Sequence, residues 1–188
     1  QVLYIPLLTK KTIFVAKLSC VNMNNFLASI LSVLMFTSLT SVNENLSHNS
    51  VWVMLQDSRG VMWFGTKEGL NCYNGYENTV YKHDPSDSLS IGNSFIRALF
   101  EVAPAKELWV GTDEGLYIYD IPSGVFSQFS VSTPNGRTIN GTVNAIAKID
   151  DELWISEIDM GFYRYNLSDG TMKYYPTGKF PWSIATDH

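Results

Sequence analysis

The chain writes one short segment three times. Trp63-Phe64-Gly65-Thr66-Lys67-Glu68-Gly69-Leu70 returns as Trp109-Val110-Gly111-Thr112-Asp113-Glu114-Gly115-Leu116. It returns in worn form as Trp154-Ile155-Ser156-Glu157-Ile158-Asp159-Met160-Gly161-Phe162. The tryptophans stand 46 and 45 residues apart. A period of that size in strand-forming residues points to a β-propeller or another β-repeat array, where no single repeat can bury its apolar face alone. A propeller closes with ~4–8 blades, so three copies read as a segment of a longer protein.

Each repeat divides into four short strands separated by Gly, Asn, Asp and Ser turns, the pattern of an antiparallel meander. The first repeat predicts strands at 51–56, 61–66, 70–73 and 79–82. The second predicts 95–100, 108–112, 116–119 and 125–129, with a longer loop through Ala103-Pro104-Ala105-Lys106. The third predicts 143–149, 153–156, 162–165 and 172–175. The expected fold is therefore all-β: a partial propeller over residues 46–188, with four-stranded blades at about 50–82, 94–129 and 142–175 and the start of another at Trp182.

Equivalent positions carry equivalent chemistry. Trp63, Trp109 and Trp154 lie mid-strand, and Tyr73, Tyr119 and Tyr165 recur every 46 residues. These ladders read first as packing of one sheet against the next, since aromatic rings bury much area; a sugar-stacking role would need the rings exposed on one face. Gly69, Gly115 and Gly161 mark the turn between second and third strands, where a positive φ favours glycine.

Residues 1–42 carry Lys10, Lys11 and Lys17 and no acid, which leaves 10 basic and 18 acidic residues for the rest, a net charge of −8. A fold that acidic lacks the basic footprint of a nucleic-acid binder. The apolar run from Phe26 to Phe36 is 11 residues long, short for a bilayer span. It fits the core of a secretory signal, with Met23 an alternative start; an N-terminal anchor helix is the other reading. Either places the repeats outside the cytoplasm. Cys72 is expected to be a small buried residue.

The pattern Asp57-x-x-Gly60-x-x-Trp63-x-Gly65-Thr66-x-x-Gly69-Leu70 resembles the two-component regulator propeller repeat. The lead-ins Asn49-Ser50-Val51 and Asn93-Ser94-Phe95 fit it, as does the third strand Leu116-Tyr117-Ile118-Tyr119-Asp120. The third repeat departs, with Ser156 in place of glycine and one extra residue before Gly161. The resemblance implies the periplasmic sensor region of a hybrid two-component histidine kinase anchored in the inner membrane, often sensing oligosaccharides. The implied partners are further blades and kinase domains of the parent chain, with a homodimer formed through the parent.

In a propeller, blade-to-blade connections and second-to-third-strand turns share one face. Here these are residues 83–93 and 130–141, together with Lys67, Glu68, Asp113, Glu114, Glu157 and Asp159. Their chemistry changes while the frame stays fixed, as in a binding face on a rigid scaffold. Arg97, in an apolar strand, either lines the central channel or pairs with Glu101 or another acid. No nucleophile elbow, zinc-binding or phosphate-cradling motif occurs, and the three histidines do not recur with the repeat. The sequence thus predicts a non-catalytic ligand sensor without cofactor or metal. A protein-interaction scaffold, and more remotely a secreted propeller hydrolase or lyase, are the alternatives.

Overall fold

A computed structural model describes residues 46–103, 106–158 and 160–177. The leader at 1–42, including Met23, the next-blade strand expected from Trp182, and Asp159 lie outside the described residues.

Three four-stranded antiparallel sheets follow one another along the chain. The first holds β1 (Val51–Gln56), β2 (Met62–Thr66), β3 (Gly69–Tyr73) and β4 (Asn78–Tyr81). The second holds β5 (Ile96–Ala103), β6 (Glu107–Thr112), β7 (Gly115–Asp120) and β8 (Val125–Gln128). The third holds β9 (Val143–Ile149), β10 (Glu152–Glu157), β11 (Gly161–Asn166) and β12 (Met172–Pro176). Each sheet is a meander in sequence order, and the first strands of successive sheets, β1, β5 and β9, lie against one another. This is the blade arrangement of a propeller, with the first strands innermost.

One expected loop is partly strand. β5 runs on to Ala103, which pairs with Glu107 across a second irregularity between Glu101 and Ala103. The strand continues because Val102 and Phe100 pack on the apolar core.

Two glycine features let the blades stack. A Cβ on Gly65 would stand 2.6 Å from Ile96 Cγ2 of the next inner strand, and one on Gly111 would stand 2.7 Å from Val143 Cγ1. Only a bare backbone admits the neighbouring strand so closely. At the turns, Gly69, Gly115 and Gly161 adopt φ of 139°, 95° and 144°.

The tryptophans fill the seams. Trp63 stacks on Tyr81 of its own outer strand and meets Tyr119 of blade two edge-on at 5.5 Å. Trp109 likewise packs on Phe129 of its own blade and Tyr165 of blade three, both rings tilted against it. Trp154 stacks on Tyr175 of its own blade and is half-buried. Tyr73 is half-buried, its hydroxyl donating to the Gly75 carbonyl.

Asp57 does more than turn the chain. Its buried carboxylate accepts from the Trp63 indole at 3.0 Å, the Arg59 guanidinium at 2.6 Å and the backbone N–H of Arg59 and Val61. Burial alone would raise this carboxyl, but the hydrogen bonds from Trp63, Arg59 and the backbone outweigh it and hold it below the usual carboxylate range.

Candidate functional site

The same irregularity opens the inner strand of every blade. In β1 the register steps from Val51 opposite Thr66 to Val53 opposite Gly65. In β5 it steps from Ile96 opposite Thr112 to Ala98 opposite Gly111. In β9 Val143 faces Glu157 and Ala145 faces Ser156. The skipped residues are Trp52, Arg97 and Asn144. A bulge of this kind turns one side chain out of the pleat and is common beside binding sites. Here it does so three times, where the inner strand meets the turn between second and third strands.

Around the first two bulges the side chains converge. Trp52 is 49% exposed, far more than Trp63 and Trp109 in the seams. Its ring meets Phe95 edge-on, with centroids 5.2 Å apart at 67°. The Arg97 guanidinium lies 4.2 Å from the Phe95 ring centre and 5.1 Å from that of Trp52. Lys67 Nζ sits 5.8 Å from both rings. Cation–π contacts of this kind contribute about 0.5–1 kcal/mol when exposed, so they orient the cations more than they stabilise the fold.

Arg97 donates to the Asp113 carboxylate. Of the readings left open for Arg97, the pairing is with an acid other than Glu101. Glu101 instead accepts the backbone N–H and the hydroxyl of Ser58 in blade one, each at 2.8 Å. Asp113 is itself pinned, its N–H donating to the Phe95 carbonyl at 3.2 Å. The Thr142 hydroxyl donates to the Asp113 carbonyl at 3.1 Å, tying this turn to the connection into blade three. The corner is therefore held by both blades before any ligand arrives.

Lys67, Arg97 and Asp113 thus share one corner. Glu68 and Glu114 are exposed on the adjoining turns, and Glu68 reaches Lys82 at 3.9 Å. Glu157 differs from its sequence assignment to a turn. It is the last residue of β10 and only 3% exposed, its carboxylate accepting from the N–H groups of Asn140 and Gly141 and the Tyr163 hydroxyl. It fastens the incoming connection rather than facing solvent. Its register explains this: Glu157 stands where Thr66 and Thr112 stand in the other blades, one position before the turn. Trp52 and Phe95 escaped the sequence reading because neither recurs. The available signal was the divergence of Trp52, Arg97 and Asn144 at one position of a repeating frame. Among the described residues no cluster of His, Cys, Asp and Glu could hold a metal.

Residues 45–68 match the family model described as the two component regulator propeller. Histidine kinase P4 of Formosa agariphila is 41% identical over 56 residues, which is 30% of this chain and 4% of that protein. The extracellular domain of a hybrid two component system from B. thetaiotaomicron superposes with a TM-score of 0.62 at 25% identity, over 70% of this chain and 19% of that one. That of a one component system from the same organism gives 0.53 at 25% identity, over 68% of this chain and 16% of that one. The chain spans under a fifth of the length of each of these relatives. The repeat at residues 45–68 is thus similar to the two component regulator propeller, and the three blades share their architecture with these extracellular domains.

Proposed function

We propose that these blades form part of the extracytoplasmic sensor region of a hybrid two-component histidine kinase, and that they bind an oligosaccharide without reacting on it. The observation that carries this reading is the corner built by Trp52, Phe95 and Arg97. An exposed indole is held against a ring and a locked guanidinium, at bulges on the innermost strands. Such a surface offers a sugar ring an apolar platform and its hydroxyls nearby donors and acceptors. The relatives support the setting, since they are extracellular domains of signalling systems and a histidine kinase. Their region lies outside the cytoplasm, and the inner-membrane anchor, kinase domains and dimer partner would belong to the parent chain.

Signalling then requires differential binding. A ligand shifts the receptor only by its preference for one arrangement of blades and neighbours over another. Because Asp113 and Thr142 join blades two and three beside the corner, occupancy there bears on how adjacent blades sit. The test is a titration of the full chain with an oligosaccharide panel, followed by tryptophan fluorescence. Saturable quenching that Trp52→Ala removes, with the fold intact by circular dichroism, is the expected result. No saccharide response across the panel would sink the reading.

A further inference from the structure

The charges around Trp52 are not evenly matched. Arg97 is neutralised by Asp113 and its guanidinium lies 4.2 Å from the Phe95 ring centre, so it acts as a wall more than as a free cation. Glu68 leans to Lys82. Lys67 is left with its ammonium over two aromatic rings, and among the described residues no carboxylate comes within ion-pair distance of it. This is an uncompensated cation beside an exposed indole, in a fold whose net charge beyond residue 42 is −8.

We infer that the Trp52–Lys67 corner selects an acidic sugar, a pyranose bearing a carboxylate, over its neutral counterpart; the inference rests on the oligosaccharide reading above. The pyranose face stacks on the Trp52 indole, and the carboxylate accepts a charge-assisted hydrogen bond from Lys67 Nζ. Arg97, held by Asp113, stands 5.1 Å from the centre of the same indole. The general negative charge of the fold does not cancel this preference. At physiological salt, exposed charges more than ~8 Å away are largely screened, whereas a direct ammonium–carboxylate bond acts at contact. A neutral sugar gains the stacking and ordinary hydrogen bonds, without the ammonium–carboxylate bond.

The experiment uses oligosaccharides of glucuronic, galacturonic, mannuronic and guluronic acid, each paired with its carboxyl-reduced neutral twin. They are titrated into the full chain by calorimetry. Lys67 and Trp52 are both exposed, so Lys67→Met and Trp52→Ala are expected to fold, which circular dichroism checks. At least one uronate should bind, about tenfold tighter than its reduced twin, and Lys67→Met should erase that ratio by weakening the uronate far more than the neutral twin. Trp52→Ala should weaken both forms. Equal binding of acid and neutral twins, binding of neutral sugars alone, or a ratio untouched by Lys67→Met would overturn the acidic preference and leave the sensor reading standing. Silence toward every sugar, charged or neutral, would overturn both.

Discussion

Blades one and three hold the incoming chain by different means. In blade one Asn71 accepts the Ser47 N–H and donates to the Ser47 hydroxyl, both at 2.8 Å, and Thr66 shares a 2.8 Å hydrogen bond with that hydroxyl. In blade three Tyr163 and Glu157 occupy the same two positions. There a buried carboxylate gathers two backbone N–H groups and a tyrosine hydroxyl. Their tryptophans differ as well: Trp63 is buried in a seam, whereas Trp154 is half-buried. The repeat therefore fixes where the lead-in is fastened, not the chemistry that fastens it. Blade one uses neutral groups, and blade three depends on a carboxylate.

The largest contrast should come from the tryptophans. Trp63→Ala empties a site 1% exposed and is expected to cost about 3–5 kcal/mol. Trp154→Ala removes a ring with less to lose and should cost about half as much or less. Denaturant unfolding of the two variants measures the difference; equal costs would mean that the two seams are covered alike.

The latches come next. Glu157→Ala strands two N–H donors and leaves the Tyr163 hydroxyl only the Thr138 carbonyl, at an expected cost of about 3 kcal/mol. Thr66→Ala removes one neutral hydroxyl and should cost about 1 kcal/mol. Glu157→Gln keeps an acceptor but not the charge, so its loss should fall between the two. If Glu157→Gln proves harmless, the carboxylate is not what distinguishes blade three.

Acid then separates blade one from its neighbours. Asp57 is held below its ordinary value in the folded state, so its contribution is present above the unfolded carboxylate range and is lost as pH falls through the folded value. In blade two the matching indole donates instead to Glu107 at 3.2 Å. Asp57→Asn should thus lower stability at neutral pH and flatten its fall below about pH 4. A parent and variant with parallel pH profiles would remove Asp57 from this role.

Much of this frame could be read from the chain. The spacing of Trp63, Trp109 and Trp154 and the turn glycines located the twelve strands within a few residues. The corner at Trp52 could not be read in the same way. Its members Lys67, Arg97 and Asp113 stood out as polar residues at turns or on an apolar strand, but a bulge is a property of pairing between strands, and one skipped partner moves a side chain to another face. Glu157 was misplaced for a related reason: the third repeat is irregular just there, and only the ladder of β10 against β9 and β11 shows the carboxylate turned inward.

The smallest expected effect lies in the seam between blades one and two. The hydroxyls of Tyr81 and Tyr119 meet there at 2.8 Å, and burial first, then this bond, raises the Tyr81 hydroxyl above its ordinary value. At the matching position the next seam carries Phe129, which packs against Trp109 and Tyr165 without any hydroxyl. The repeat already accepts a phenylalanine at this point in its frame. Tyr81→Phe should therefore cost only about 1 kcal/mol, the net worth of one hydrogen bond, since its ring still stacks on Trp63 and meets Phe126 edge-on. Tyr81→Leu, which loses the ring too, should cost clearly more. If the two variants were equally damaging, the hydroxyl pair and not the aromatic stack would be closing that seam.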